Sequence, residues 1–262
     1  HLARRLHAAA PATRRHATTL DPDLQARLES LAAGALRGHD PRLSLAIVVA
    51  EHATGRIRAS VGAARWGAAP RGGWNDMTVA PRSPGSTLKP LIYALAFDEG
   101  LAAPGTLIDD RPVTIGGYAP QNFDGTFRGE ITVAEALRSS RNVPAVLLTE
   151  AMGPARLVAA LERSGAEPRL PGDGRPGLAV ALGGVGLTLE DLVQLHAGLA
   201  RGGRAVALTH RPGPTRDGRR IVSRAAAWQA GDILAGLPPP AGAPPLKLAW
   251  KTGPSHGHPA AW

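Results

Sequence analysis

The stretch Arg82-Ser83-Pro84-Gly85-Ser86-Thr87-Leu88-Lys89-Pro90 decides the reading of this chain. Pro90 lacks a backbone N–H, which is harmless only in the first turn of a helix, where N–H groups have no acceptor. It therefore fixes a helix start beside Ser86, and Gly100 stops the run after Glu99. Residues three apart on a helix share a face, so Lys89 can reach the Ser86 oxygen. A serine hydroxyl is a poor nucleophile until a base takes its proton. The helix N-terminus adds unpaired N–H groups and a positive dipole end, which favour a developing oxyanion. For Lys89 to be that base its pKa must fall, as burial and a second nearby cation would cause.

An S-x-x-K spacing alone is weak, but composition sharpens it. The chain has 262 residues and a net charge of +9, and of its 30 basic side chains only Lys89, Lys247 and Lys251 are lysine. A lysine kept against that arginine background is worth tracing. Apolar residues at 44% and charged residues at 19% describe a globular chain and exclude disorder or a collagen-like repeat. The length suits one large domain or two small ones. Cysteine is absent, which excludes a disulfide framework, a thiolate nucleophile and a cysteine zinc site. The arginines are scattered, in doublets at most (Arg4-Arg5, Arg14-Arg15, Arg219-Arg220), and aromatics are 4%. That pattern reads as solvated surface and not as a nucleic-acid site. No apolar run reaches membrane-spanning length, no signal peptide is seen, and the opening His1 suggests a piece of a longer chain. His256 and His258 lack a visible third ligand and read as surface histidines, so neither a metal nor a cofactor is expected. Leu182-Gly183-Gly184-Val185-Gly186 reads as a turn, without P-loop or dinucleotide spacing.

Local signals place the elements. Residues 1–18 are basic, Ala-rich and broken by Pro11, which reads as a linker. Asp21 caps a helix with Pro22 in first position, and Leu24, Leu28 and Leu31 are expected on one face. Leu43 to Glu51 and Arg56 to Val61 read as a hairpin through Thr54-Gly55, before a Gly-, Pro- and Trp-rich loop over 62–85. Helices follow over about 86–99, from the Thr132…Glu135 capping box to Ser139, and over 144–152, 154–163, 188–201 and 224–235. Leu246 to Thr252 alternates as a strand would. Mixed strands and helices with no repeat suggest an α+β domain.

Two further motifs follow the first. Ser140-Arg141-Asn142 lies between two helices, where a corner can present a hydroxyl and an amide to a cleft. Lys251-Thr252-Gly253 offers a cation and a hydroxyl for a carboxylate, with a glycine that lets another backbone approach. In this order the three resemble the acyl-transfer constellation of penicillin-binding proteins and their β-lactamase relatives. The stretches 84–90, 118–123, 136–146 and 248–253 resemble the transpeptidase domain of bifunctional class A penicillin-binding proteins, nearest the 1C-type subgroup. The likeness extends over about 18–262, taking in Thr18 to Gln25 and 181–203.

That resemblance implies a central antiparallel sheet flanked by helices, with the last strands beyond Trp262. It implies residues 1–18 as a linker from an upstream glycosyltransferase region and 19–262 as an incomplete transpeptidase domain. Ser86 would attack the penultimate D-Ala carbonyl of a peptidoglycan stem peptide, Lys89 would be the base, and Ser140 would relay protons. Asn142 would hold the substrate amide, and Lys251, Thr252 and Gly253 would bind the terminal carboxylate of the peptide or of a β-lactam. The setting would be the periplasmic face of a bacterial inner membrane, with membrane attachment only through an anchor outside this chain. Two positions depart from the pattern. The family follows K-T-G with Thr, whose N–H is the second oxyanion donor, but Pro254 has none, and Ala260 stands where the subgroup has Asp. One rival is therefore a catalytically impaired domain that only binds stem peptides. A β-lactamase ranks lower, since no glutamate starts the E-x-x-L-N motif of a deacylating base.

Overall fold

In the computed structural model of the chain, residues 1–67, 72–172, 174–254 and 261–262 are described. The residues expected as a linker open with a helix, α1 (Leu2–Ala9), which the sequence reading had missed. Its Arg5 is tied to Glu190 at 2.6 Å and Asp76 at 3.4 Å, so distant acids dock a segment whose own composition looked solvated.

Asp21 does what its position predicts. Its carboxylate accepts the N–H groups of Asp23 and Leu24, both at 3.1 Å, and starts α2 (Pro22–Ala35). The buried stripe differs from expectation: Leu28 and Ala32 face the fold, while Leu31 is exposed. Rows spaced by four place Leu24, Leu28 and Ala32 in register, and Leu31 falls off that row. The hairpin β1 (Ile47–Ala50) and β2 (Ile57–Val61) is antiparallel, with Val48 opposite Ser60, and α2 lies on β2.

The core is helical. A tight 3₁₀ turn over Gly85–Leu88 leads into α3 (Lys89–Asp98), whose residues 89–96 are all buried. Burial of each Leu or Ile side chain is worth about 1.5–3 kcal/mol, so Leu88, Leu91, Ile92 and Leu95 hold α3 in place and offset the cost of enclosing Lys89. Around α3 stand α4 (Val133–Arg138), α5 (Asn142–Met152), α6 (Pro154–Ser164) and, further along the chain, α8 (Arg224–Ala235), with α7 (Leu189–Ala200) packed on α6 and α8. The expected capping box of α4 is half formed. Thr132 accepts the Glu135 N–H at 3.1 Å, while the Glu135 carboxylate pairs with Arg128. The full box appears at α7, between Thr188 and Asp191. Helix α5 begins two residues before the expected 144 because Pro144 is accommodated anywhere in the first turn.

Two short hairpins complete the fold: β3 (Leu107–Asp110) with β4 (Gly129–Thr132), and β5 (Arg204–Val206) with β6 (Asp217–Arg220). The mixed α+β class stands, but the expected central sheet is not what the described residues form. They make three separate two-stranded sheets, and Leu246–Thr252 is in none of them. Alternation gives a segment one apolar face, yet a strand exists only where a neighbouring edge takes its N–H and C=O groups. Only past this segment does pairing begin, where Gly253 and Trp262 exchange N–H···O bonds at 3.2 and 3.1 Å. Among the described residues no single helix is long and apolar enough to cross a membrane.

Candidate active site

The turn that carries Ser86 is defined by backbone contact. Gly85 has φ +52°, and a Cβ there would lie 2.4 Å from the Pro254 carbonyl oxygen. On the other side, a Cβ on Gly183 would lie 2.5 Å from the Gly85 nitrogen. The turn is thus wedged between the backbones of Gly183 and Pro254, and only glycine fits at 85 and 183. Ser83 adds a bond to the Gly183 carbonyl at 2.8 Å, and the Trp262 indole N–H donates to the Ser83 carbonyl at 2.8 Å.

One turn later, Lys89 is 0% exposed. Its Nζ donates to the Ser140 carbonyl and to Asn142 Oδ1 at 2.6 Å, and lies 3.3 Å from Ser140 Oγ. Burial, then the charges of Lys251 and Arg141, holds its pKa well below the usual lysine value, against a smaller opposing pull from Asp110. A neutral amine donates two hydrogens, which the Ser140 carbonyl and Asn142 take, and keeps a lone pair for a hydroxyl. Ser86 Oγ makes no hydrogen bond among the described residues, so its proton is uncommitted.

Ser140 is delivered by backbone strain. It has φ +58°, the single non-glycine residue in the left-handed region among the described residues, which costs about 1–3 kcal/mol. That conformation turns both its carbonyl and its hydroxyl towards Lys89. The next two residues are held by a polar network that sequence reading did not foresee as a unit. Arg141, 4% exposed at the side chain, donates to Asp110 at 2.7 Å and Asp124 at 2.9 Å, and Asp110 is fully buried. Asn122 donates to Asp110 at 2.7 Å and accepts the Asn142 N–H at 2.7 Å, capping α5 from outside its own chain segment. Asn142 Nδ2 donates to the Gln121 carbonyl at 2.7 Å.

The third motif lies opposite. Lys251 is half-buried, its Nζ donating to the Thr252 carbonyl at 2.8 Å, and desolvation pulls its pKa down to about 8. Thr252 is exposed and Gly253 is buried against Thr87. His196 of α7 faces the Thr87 backbone, and desolvation lowers its pKa, with the charge of Lys251 a smaller cause. The structure thus brings Lys89, Ser140 and Asn142 into direct contact, sets Ser86 one turn away, and places Gly253 against the turn that carries Ser86. Sequence reasoning missed Asp110, Asn122's capping role and His196. Asn122 lies in the 118–123 stretch that carries the family resemblance, whereas Asp110 and His196 carried no local signal.

A buried amine, a free hydroxyl at a helix start and a flanking cation can support serine acyl transfer. A family model, the penicillin-binding protein transpeptidase domain, matches residues 45–255. The chain belongs to the penicillin-binding protein transpeptidase family. It is 43% identical over 249 residues to penicillin-binding protein 1C of Escherichia coli K12, across 94% of this chain and 32% of that protein. Penicillin-binding protein 1B of Vibrio cholerae is 32% identical over 211 residues, across 73% of this chain and 25% of its own length. The chain therefore spans about a third or less of these relatives. Among solved structures, PonA1 of Mycobacterium tuberculosis superposes with a TM-score of 0.72 at 24% identity, across 88% of this chain and 67% of that one. Its complex with penicillin V gives 0.70 at 24%, across 84% and 62%. These two likenesses speak to the fold alone. Among the described residues no group of three or more metal-ligating side chains occurs. His256, His258 and Ala260 lie outside the described residues.

Proposed function

We propose that this chain is the acyl-transfer domain of a peptidoglycan D,D-transpeptidase, similar to penicillin-binding protein 1C. The observation that carries the reading is the buried Lys89 amine, bonded to Ser140 and Asn142 with Ser86 one turn before it. Neutral Lys89 takes the Ser86 proton as the hydroxyl oxygen attacks the penultimate D-Ala carbonyl. Ser140, in contact with Lys89, passes that proton to the leaving D-Ala nitrogen. Asn142 holds the peptide amide, and Lys251, Thr252 and Gly253 receive the terminal carboxylate. An amine from a second stem then attacks the Ser86 ester, releasing the serine and forming the crosslink. A β-lactam, carrying a reactive amide and a carboxylate, follows the first half of this path. In the longer protein the partners are stem peptides and an upstream glycosyltransferase region joined through residues 1–18, on the extracytoplasmic side of a bacterial inner membrane.

The test is covalent. Incubation with a labelled penicillin is expected to add its mass to Ser86, and the Ser86→Ala protein to stay unmodified. A folded protein with no adduct would overturn the catalytic reading.

Pro254 favours a second reading, a domain that binds stem peptides with impaired turnover. Position 254 supplies no N–H, and loss of one oxyanion donor typically costs ~10²–10³ in rate. Replacing Pro254 by Thr is expected to raise the acylation rate by a factor approaching that range. An unchanged rate would show that position 254 does not limit the oxyanion site.

A further inference from the structure

Beside the nucleophile turn opens a cleft of about 1110 Å³. Its walls are Arg82 and Ser83, the Tyr118–Phe123 loop, Arg169 to Pro171, and the Gly183–Gly186 turn. Pockets for single small molecules run to roughly 300–1,000 Å³, so this one has room for an extended ligand. It is continuous with the catalytic groups. Ser83 precedes Ser86 by one turn, and Gln121 accepts from the Asn142 amide at 2.7 Å. It also lies towards Gly183, while Lys251–Gly253 approaches the turn from the Pro254 side.

The charge in the cleft is one-sided. Arg82 and Arg169 line it, and no Asp, Glu or Lys does. On the Tyr118–Phe123 side Asp110 and Asp124 are engaged by Arg141, and on the other side Arg169 borders a second pocket with Glu167, Glu190 and Asp191 but forms no ion pair with them among the described residues. Both cleft arginines are anchored at the backbone, Arg82 by a pair of bonds to Leu187 and Arg169 by a pair to Gly186. Arg82 also braces on the Pro81 carbonyl at 2.9 Å, while the Arg169 side chain makes no hydrogen bond among the described residues. Guanidinium groups match a carboxylate with two parallel N–H donors. The aromatic faces of Tyr118 and of Phe123, which is 76% exposed, give the apolar wall along which a peptide can lie.

The geometry points to a second carboxylate subsite: Arg82 and Arg169 hold a side-chain carboxylate of the donor peptide, upstream of the bond that meets Ser86. This rests on the proposed function and adds to it the class of donor, an acidic peptide anchored by a carboxylate at each end of the site. A neutral donor of the same length leaves the two guanidinium groups unmatched.

The experiment uses the Ser86→Ala protein, which binds without reacting, and two synthetic peptides ending in D-Ala-D-Ala. One carries a free side-chain carboxylate upstream, the other the carboxamide in its place. Calorimetry is expected to show the acid peptide binding roughly tenfold more tightly, as hydrogen bonds to a charged group allow. Adding Arg82→Gln and Arg169→Gln is expected to close that gap, and Arg169→Lys to retain part of it. Equal affinities of the two peptides, or a gap that survives both substitutions, would overturn the subsite. Should the double variant fail to fold, Arg169→Gln alone serves, since its side chain bonds to nothing that stability needs. Penicillin labelling of the unaltered protein reports separately on the catalytic reading. A missing adduct with an intact affinity gap sinks catalysis alone, and an adduct with no gap sinks this subsite alone.

Discussion

An amine enclosed by protein, with Lys251 and Arg141 as neighbours, gives up its proton more readily than one in water. For Lys89 this has two consequences of the same sign. Between its lowered pKa and the ordinary lysine value the unfolded chain holds a proton that the folded one has shed, so this residue's contribution to stability rises with pH in that window. On the proposed mechanism, acylation is expected to rise with pH as Lys89 becomes neutral and to fall as Lys251, with a pKa of about 8, loses the charge proposed to hold a carboxylate. A bell-shaped dependence of the second-order acylation rate on pH is expected. Lys251→Arg should move the alkaline limb upward, because a guanidinium keeps its proton. A limb that stays in place in that variant would remove Lys251 from the titration. The lysine scarcity in the sequence carried this much: two of three lysines stand where an amine and a guanidinium differ in chemistry. What it could not carry was direction. Nothing local to Lys89 says that its Nζ bonds Ser140 and Asn142 instead of Ser86, 51 and 53 residues on.

At the scale of elements, α5 owes its position to residues outside it. Asn122 caps it, Asp110 holds Asn122 and Arg141, and the three fix the corner on which Ser140 and Asn142 stand. Asp110→Ala leaves a buried arginine without its closest acid. The expected cost is about 3–5 kcal/mol, read as a shift in the urea midpoint, with a loss of penicillin acylation beyond what the unfolded fraction explains. A variant as stable as the parent would show that Asp124 alone suffices for Arg141. Two helix starts were legible because their signals are local, Asp21 before Pro22 and Thr132 ahead of Glu135, whereas the caps Thr188 with Asp191 and Ser223 emerge only in the structure. The β3–β4 and β5–β6 hairpins were not. Their strands are three or four residues long, and Asp217–Arg220 has no apolar alternation for a period-two pattern to catch. Asp110 sits between Asp109 and Arg111, which reads as solvated charge until the fold brings Arg141 to it. The strand expected over 246–252 failed for the converse reason, a good pattern with no partner edge.

Across the whole molecule, a helical core around α3 carries three hairpins at its margins, and the groups proposed for catalysis gather where the 3₁₀ turn, the 140–142 corner and the 251–253 segment meet. The order of the three motifs was readable from the sequence, since each is short and contiguous. Their convergence was not, because it is made by contacts far apart in the chain. The glycine-lined wedge around Ser86 shows how far. Ser83 bonds Gly183, 100 residues away, and receives the Trp262 indole from 179 residues away. Closing loops of that length is entropically costly, and rates of folding fall as contacts become less local. Helices such as α5 and α7 can form early from neighbours in sequence, but the cradle of Ser86 closes only when both distant segments have arrived. In refolding, penicillin labelling of Ser86, if the proposed chemistry holds, is therefore expected to recover last, after the far-ultraviolet signal of the helices.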